Sequence, residues 1–246
     1  MRTVAGLWRH PIKSHGSEAM ERVAVTEGRA LPFDRQWAVA HEAAKLPEHG
    51  WASCRNFSIG SKAPGLMAIS AKTDETTGHI TLTHPDLGTL KLDPDTEGDA
   101  LIAWAGGLIP EGRAQSTRVV RAETQAWTDT PFPSISLASL ASLDALAERV
   151  GQPLDPRRFR INIWIDGAAP WDEFGWVGQE ITVGGVRFRA EEPITRCLAT
   201  TANPETGARD ADTLAALEAG WGHKDLGIYL TALSSGDVAL GDEVRA

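Results

Sequence analysis

Of the two cysteines in the sequence, Cys197 has neighbours that favour chemistry at a thiol. It comes shortly after a predicted strand over Val186–Ala190, in a loop entered through Pro193, and the adjacent Arg196 favours the thiolate over the thiol. A thiolate in such a loop is a candidate metal ligand or nucleophile, and the competing interpretation is a buried structural cysteine. The structural interpretation is the one we favour for Cys54. No Cys-x-x-Cys pair is present, which argues against a structural zinc or iron–sulfur site.

Three short basic segments could bind an anion. Lys13 and Ser14 follow the first predicted strand and offer an ammonium, a hydroxyl and a backbone N–H. Arg35 stands at the start of a second strand, and Arg160 ends the basic run Arg157–Arg160. Each of these segments, taken singly, is more often surface charge than a ligand.

Other chemistries lack a sequence signal. The seven histidines are scattered, and none is paired at a His-x-His or His-x-x-x-His spacing. No Gly-x-Ser-x-Gly elbow, P-loop or Gly-x-Gly-x-x-Gly motif occurs, so the sequence gives no support for a serine hydrolase, an NTPase or a dinucleotide-binding fold.

Composition limits the classes of partner. The chain has 246 residues, enough for one large domain or two small ones. Its net charge of −9 disfavours general binding to nucleic acid or to an anionic membrane, so a phosphate would need local basic groups. The N-terminal apolar stretch is interrupted by Arg2, Arg9 and Lys13, and we predict neither a signal peptide nor an anchor. A cytoplasmic protein with two free thiols is expected.

Hydrophobic alternation predicts many short strands. Ile161, Ile163 and Ile165 show the period of two that is typical of a half-buried strand, and Gly184-Gly185 predicts a hairpin turn. The predicted strands are Val4–Trp8, Trp37–His41, Leu66–Ser70, Ile80–Thr83, Ser116–Arg121, Ile161–Ile165, Ile181–Val183, Val186–Ala190, Leu226–Leu233 and Val238–Val244, the last two as a closing pair.

Two helices interrupt the strands. The first covers about residues 140–150, with Ser136 or Ser139 as its N-cap and Gly151 as its C-terminal cap. The second covers Asp212–Ala219 and ends at Gly220. Polar and glycine-rich composition predicts long loops over residues 42–62 and 93–112. The pattern as a whole predicts an α+β fold that is mainly β, a barrel with a few helices attached.

Six ordered motifs together resemble the MOSC family, which is named for the C-terminal domain of molybdenum cofactor sulfurase. The most specific combines Arg196-Cys197 with Thr200-Thr201 and a turn at residues 203–207. The opening motif has His10 where the family has tyrosine, and Ile161 replaces a usual proline. The other matching pieces are Pro11-Ile12-Lys13-Ser14, Asp34-Arg35-Gln36-Trp37, Ser136 to Leu140, Phe159 to Asn162, Trp171-Asp172-Glu173, and the C-terminal stretch from Leu226 to Asp242.

The resemblance implies a MOSC N-terminal β-barrel-like region over residues 1–115 and a MOSC domain over residues 116–246, a sequence boundary that allows the first strands to pack into the barrel. It is strongest to the amidoxime-reducing branch of the family and implies a molybdenum–molybdopterin cofactor whose metal is bound by Cys197. A soft, anionic thiolate suits that metal. The cofactor-binding residues implied by resemblance are Lys13, Ser14, Arg35, Ser136, Arg160, Asn162, Thr195 and Arg196. The helix beginning near Ser136–Ser139 would add amides at its positive end.

Two functions of different classes follow from the resemblance. The first is an oxidoreductase that reduces small N-hydroxylated compounds, with electrons from a separate donor protein and with Asp172 delivering a proton or orienting the substrate. The second is a carrier of cofactor or sulfur, in which Cys197 bears a persulfide or binds a cofactor in transit. The carrier requires an exposed thiolate, and the reductase requires a metal-bound one.

Overall fold

The computed structural model describes residues 1–123 and 126–246. The strands in this part of the chain are β1 (Arg2–Arg9), β2 (Glu18–Met20), β3 (Arg22–Val25), β4 (Trp37–His41), β5 (Ser70–Thr73), β6 (Ile80–His84), β7 (Gly88–Leu92), β8 (Ser116–Arg121), β9 (Ile135–Ser139), β10 (Ile163–Asp166), β11 (Glu180–Val183), β12 (Val186–Thr195), β13 (Asp225–Ala232), β14 (Gly236–Ala239) and β15 (Glu243–Arg245). The α-helices are α1 (Gly98–Ala105), α2 (Leu140–Val150) and α3 (Thr213–Trp221). This is the mainly β, α+β fold that the sequence predicted.

Seven strands close a barrel around the larger core. Around the barrel they follow the order β10, β9, β13, β12, β11, β15 and β1, and β1 pairs back onto β10. The closing pair is antiparallel, with Thr3 opposite Asp166 and Leu7 opposite Ile163. Buried aliphatic side chains from the barrel strands fill the interior. Closure leaves the barrel with no unpaired edge.

Helix α2 forms the crossover between β9 and β10, the parallel pair of the barrel. Parallel neighbours need a long connection, and a helix is the usual one. Ser139 is the N-cap, since its side chain accepts a hydrogen bond from the N–H of Ala141 at 3.1 Å. Gly151 ends the helix with φ +84°, as predicted. Ser136 lies in β9 and is not a cap.

A second core lies outside the barrel. Strands β5, β6 and β7 form one small sheet and β4 and β8 another, and α1 packs against β8 and β7. The buried side chains of this core come from residues 12–109. The N-terminal strand β1 belongs to the barrel all the same, so the chain passes from the barrel to this smaller lobe and back.

Several predicted elements were wrong. Residues 64–68 form a 3-10 helix with Pro64 in its first turn, and the strand predicted at Leu66–Ser70 begins only at Ser70. Periodicity does not distinguish a short, fully buried apolar run in a strand from one in a helix. The loop predicted over residues 93–112 contains α1, which is anchored by the buried Leu101 and Ala105.

Other corrections concern burial and boundaries. Strand β10 is buried on both faces, with Trp164 only 1% exposed, so the predicted half-buried strand was wrong. The predicted strand Val238–Val244 is two strands, because Gly241 turns the chain with φ +85°; β14 pairs with β3, and β15 pairs with β11 and β1. Helix α3 ends at Gly222 rather than Gly220. The Gly184-Gly185 hairpin is confirmed.

Every helix within residues 1–123 and 126–246 is too short or too polar to span a bilayer.

We predict that Gly227 in β13 tolerates no side chain. Its φ is +77°, and an added Cβ would lie 2.6 Å from the carbonyl oxygen of Leu137 and 2.9 Å from the Cβ of Ala138. Gly178 is the matched control, because its φ is +82° but no atom lies within 4 Å of the added Cβ. Gly178→Ala should cost about 1–2 kcal/mol of unfolding free energy from the left-handed backbone alone. Gly227→Ala should cost roughly 1–3 kcal/mol more because of the backbone contact. Equal midpoints in urea unfolding would contradict this prediction.

Candidate functional site

A cavity of about 300 Å³ lies where chain segments from the barrel and from the smaller lobe meet. Its lining residues come from eight separate parts of the chain. They are Lys13, Ser14, Arg35, Cys54, Ile59, Gly60, Ser61, Asp129, Ser136, Arg158, Phe159, Arg160, Ile194, Thr195, Arg196, Cys197, Ala199, Thr200 and Tyr229. The expected convergence of Cys197 with the three basic segments is therefore observed.

The lining is strongly cationic. It carries four arginines and one lysine but a single carboxylate, that of Asp129. The whole chain has a net charge of −9, so this local excess of positive charge is the reverse of the overall balance. A concave surface of this kind concentrates anions.

Lys13 is held at the cavity by two strong hydrogen bonds. Its Nζ donates to the carbonyl oxygen of Trp127 and to Oδ1 of Asp129, both at 2.7 Å. Desolvation by the surrounding protein would raise the pKa of Asp129, but the Lys13 ammonium, together with Arg35 and Arg196, outweighs it and the pKa is lowered. Asp129 is therefore ionised, and because its side chain is 61% exposed it remains accessible from solvent.

Three residues of the cavity have left-handed backbones. Ser14, Arg35 and Arg160 have φ values of +62°, +48° and +50°. Such conformations cost non-glycine residues of order 1–3 kcal/mol and cluster at functional sites. Arg35 is also tied to its neighbours, since its guanidinium binds the carboxylate of Asp34 and donates to the Arg160 carbonyl at 2.6 Å.

Among the described residues, Arg160 and Arg196 have only carbonyl oxygens as hydrogen-bond partners. Arg160 donates to Gly16 at 3.1 Å, and Arg196 donates to Leu226 at 2.8 Å and to Phe159 at 2.9 Å. In the part of the chain that the structure describes, neither guanidinium has a carboxylate within 4 Å.

The environment of these two arginines opposes their charge. Burial, together with the nearby Arg35, lowers the pKa of Arg160 to about 9. Burial also lowers the pKa of Arg196 to about 10, which still leaves both side chains charged at neutral pH. Partly buried cations without a counter-ion are costly, and an anionic ligand would compensate them.

Cys197 lies at the same cavity and is exposed. It directly precedes a 3-10 helix over Leu198–Thr201, and its carbonyl oxygen accepts hydrogen bonds at 3.1 Å from the N–H and the hydroxyl of Thr200. These bonds fix the backbone on the C-terminal side of the thiol. The competing interpretation of Cys197 as a buried structural cysteine is wrong.

The profile of the MOSC domain matches residues 129–245, and that of the MOSC N-terminal beta barrel domain matches residues 1–127. The chain belongs to the MOSC family. Mitochondrial amidoxime-reducing component 1 from Mus musculus is 27% identical over an alignment of 246 positions that covers 85% of this chain and 68% of that protein. Its human counterpart is 25% identical over 83% of this chain and 67% of that protein.

Two further comparisons cover less or lie farther away. Molybdenum cofactor sulfurase from Drosophila willistoni is 36% identical over 86 residues, which are 34% of this chain but only 11% of the sulfurase. The crystal structure of the YUAD protein from Bacillus subtilis aligns with 99% of this chain and 94% of that chain, at 15% identity and a TM-score of 0.48.

Ser136 and Asn162 form a polar pair beside the MOSC cavity. Ser136 is buried and donates its hydroxyl to Oδ1 of Asn162 at 2.9 Å, and the Asn162 amide donates to the Trp8 carbonyl at 3.1 Å. Asn162 does not line the main cavity but lies next to it, in a pocket of about 20 Å³ shared with Arg35 and Ser136. Thr195 lines the cavity and donates its hydroxyl to Asp225 at 2.6 Å.

Asp172 and the amino end of α2 lie apart from the cavity lining. The Asp172 carboxylate accepts a hydrogen bond from the N–H of Ala169 at 3.0 Å and lies 3.7 Å from the Arg2 guanidinium, so its contacts are local. The buried Glu173 carboxylate lies at the first turn of α2, where it accepts a hydrogen bond from the Ser142 hydroxyl at 2.9 Å. Burial raises the pKa of Glu173. The α2 amides were expected to contribute to anion binding. This expectation is corrected, because the Glu173 carboxylate occupies the N-terminal end of α2.

Four titratable lining residues were not predicted as functional: Cys54, Asp129, Arg158 and Tyr229. Burial, and then the Asp129 carboxylate, raise the pKa of Cys54, so this second thiol stays protonated. Burial also raises the pKa of Tyr229, the chain's single tyrosine. Arg158 is paired with Asp210 at 2.6 Å. Arg158 lies in the basic run Arg157–Arg160 and Tyr229 in the C-terminal stretch that resembles the family. No local motif marks Cys54 or Asp129, and only the tertiary fold brings these two to the cavity.

The pH dependence of the protein's stability should depend on protonation of His15, which follows Ser14 in the chain and is buried. Its Nδ1 lies 2.8 Å from the Lys13 carbonyl oxygen, and burial, with Arg160 adding to it, lowers its pKa to about 4. The unfolded chain binds a proton below its pKa of about 6.5 and the folded chain does not. Stability should therefore decrease as the pH falls from about 6.5 toward about 4.

His15→Gln should show a shallower loss of thermal stability over that pH range than the wild type. In the wild type, the nitrogen chemical shifts of the His15 ring should remain those of a neutral imidazole at about pH 5.5. A protonated His15 at that pH would contradict the prediction.

Proposed function

We propose that the chain binds a molybdenum–molybdopterin cofactor in the cationic cavity, with Cys197 as the protein ligand to the metal, and reduces N-hydroxylated compounds. The observation that carries the proposal is the shared lining: the exposed Cys197 thiol and the two cations without carboxylate partners, Arg160 and Arg196, line one cavity. A thiolate and free cations are the two features that a metal–pterin phosphate needs together.

The donor set of the cavity fits this cofactor. A pterin phosphate is a multiply charged anion, and Lys13, Arg35 and Arg160 offer charge-assisted hydrogen bonds to it. Within the described residues, no group of three His, Cys, Asp or Glu side chains is placed to hold a metal without help. A metal here would therefore depend on Cys197 together with sulfur ligands from the pterin, which suits a soft thiolate site.

The chain's own residues would bind and orient rather than react. When bound, the cofactor's molybdenum supplies the two-electron chemistry that cleaves an N–O bond. Asp129 holds Lys13 by an ion pair, and a phosphate that binds Lys13 would have to share it with this carboxylate. Arg35 is oriented by Asp34 and by the Arg160 carbonyl, so its donors are preorganised.

The substrate class and the electron source rest on the relatives. The names of the mouse and human relatives describe amidoxime reduction, which supports a small N-hydroxylated substrate for this chain. The electrons are proposed to come from a separate donor protein, because neither cysteine has a partner spacing typical of an iron–sulfur cluster. A cytoplasmic location remains part of the proposal.

We predict that Cys197→Ser abolishes reduction of benzamidoxime by cofactor-loaded protein, assayed with a chemical electron donor and normalised to molybdenum content. A serine hydroxyl is a harder and poorer ligand for this metal. Cys54→Ser is the matched control, because it changes the other thiol of the same cavity, and it should retain turnover. Normal turnover by Cys197→Ser would exclude the thiolate-ligand mechanism.

We predict that Arg160→Gln mainly lowers cofactor occupancy. Removing one charge-assisted contact costs roughly 1.5–3 kcal/mol, or about ten- to hundredfold in affinity. Activity per bound molybdenum should be retained, in contrast to Cys197→Ser. Arg187→Gln is the control, since Arg187 is an exposed arginine on β12 paired with Glu180. Metal and pterin analysis of both variants measures the effect, and wild-type occupancy in Arg160→Gln would contradict it.

The exposure of Cys197 supports a second candidate, a carrier of sulfur or cofactor. A persulfide must be reachable by the acceptor protein, and a half-buried thiol such as Cys54 would be a poor choice. Mass spectrometry of the intact protein distinguishes the two candidates. A persulfide on Cys197 in a metal-free, inactive protein would favour the carrier, and a molybdenum-loaded, active protein would favour the reductase.

A further inference from the structure

A second cavity lies on the other side of the chain segment that walls the cofactor cavity. This segment covers residues 54–62; Cys54, Ile59, Gly60 and Ser61 face the first cavity. The second cavity has a volume of about 240 Å³ and shares only Ile59 with the first. Because the two are lined by nearly separate sets of side chains, they are separate sites for ligands.

The second cavity combines an apolar surface with a positive one. Phe57, Ile59, Ala63 and Ile109 supply the apolar part, and Phe57 and Ala63 are almost fully buried. The polar lining includes Ser58, whose hydroxyl is already bonded to Ser116 at 2.8 Å. The apolar part can bury the body of a ligand, but it offers no polar partner to a compact inorganic anion.

The charged lining residues are all cationic. They are Arg55, Lys62 and Arg113, and no carboxylate among residues 1–123 and 126–246 lines this cavity. In the part of the chain that the structure describes, these three side chains make no hydrogen bond or ion pair. The neighbouring Glu42 is engaged elsewhere, since its Oε1 accepts from the N–H of Gln115 at 3.2 Å. Three unpaired cations around an apolar floor in a chain of net charge −9 favour an organic anion.

His41 lines this cavity and has one ring nitrogen without a hydrogen-bond partner among the described residues. Its Nε2 lies 2.8 Å from the Arg55 carbonyl oxygen, while its Nδ1 is buried and without a partner among the described residues. Buried polar atoms in folded proteins are nearly always hydrogen-bonded, and exceptions are often explained by a ligand or water. The Arg55 carbonyl fixes the ring and therefore the position of the free nitrogen.

We propose that this cavity is a binding site for a small organic carboxylate with an apolar, ring-sized body. The volume lies just below the lower end, about 300 Å³, of typical ligand pockets, which limits the occupant to a small molecule. The apolar body would lie on Phe57 and Ile109, and the carboxylate would lie among Arg55, Lys62 and Arg113. Amidoximes are neutral or cationic, so an organic carboxylate differs from the substrate class proposed for the first cavity. The inference does not depend on molybdenum or on reductase activity.

The test uses 2-naphthoate as the probe and 2-naphthamide as its neutral counterpart of equal size, with binding measured by calorimetry and by chemical-shift changes in the protein. We expect naphthoate to bind at least tenfold more tightly than naphthamide. The double variant Arg55→Gln/Arg113→Gln should weaken naphthoate binding at least tenfold. Lys72→Gln/Lys91→Gln is the matched control, because it removes two exposed positive charges from β5 and β7, and its affinity should equal that of the wild type.

A further variant tests which of the two cationic cavities binds naphthoate. Naphthoate should bind Arg160→Gln as it binds the wild type, with shift changes at His41 and Phe57. Loss of binding in Arg160→Gln and retention in Arg55→Gln/Arg113→Gln would place the probe in the first cavity and overturn the proposal. Equal affinity for naphthoate and naphthamide, or no binding of naphthoate at millimolar concentration, would also overturn it.

Discussion

The pairing of β1 with β10 is the constraint on which the site depends. The pair is antiparallel and Leu7 lies opposite Ile163, so the end of β1 and the beginning of β10 lie together. The chain leaves β1 toward Lys13 and enters β10 from Arg160, and these residues, which are 147 positions apart, therefore reach one cavity. Strand β9 runs parallel to β10, with Leu137 opposite Ile163, which brings Ser136 to the same place. Closing the barrel thus brings together cationic residues from motifs that lie far apart in the sequence.

Two contacts then join the smaller lobe to the barrel at the cavity. The Arg35 guanidinium donates to the Arg160 carbonyl at 2.6 Å, and the Arg160 guanidinium donates to the Gly16 carbonyl at 3.1 Å. Both arginines have left-handed backbones, which the surrounding structure must compensate. Binding of a ligand by their side chains would account for this conformational cost, because a relaxed backbone would direct the two guanidinium groups away from the cavity.

The sequence predicted the cavity more completely than it predicted the fold around it. The motif residues Lys13, Arg35, Arg160 and Cys197 were identified from local patterns and resemblance, and all four line one cavity. The helix over residues 140–150 was predicted correctly because capping and periodicity agree there. Helix α1 was missed, because glycines on both sides of it resemble a loop and its stability comes from tertiary packing of Leu101.

Residues that act only through tertiary placement could not be predicted from local sequence. No sequence pattern around Asp129 identifies it as functional. Its role as the partner of Lys13 follows from a contact between residues 116 positions apart in the chain. Asp172 is the opposite case. It belongs to a motif that resembles the family, but its carboxylate makes local contacts and does not line the cavity. A motif match specifies an environment in the fold, and only the fold decides whether each of its side chains faces the ligand.

The neutral histidines near the cavity complete the electrostatic account. Burial, reinforced by Arg160 and Arg35, holds the pKa of His10 well below its usual value, and His15 behaves in the same way with a pKa of about 4. Neither ring gains charge between about pH 5 and pH 8, so the positive potential of the cavity comes from the arginines and Lys13 alone. Arg160 and Arg196 remain protonated across that range, since their lowered pKa values are about 9 and 10. The charge presented to an anion is therefore constant at physiological pH, and acid weakens the site by destabilising the fold rather than by discharging its cations.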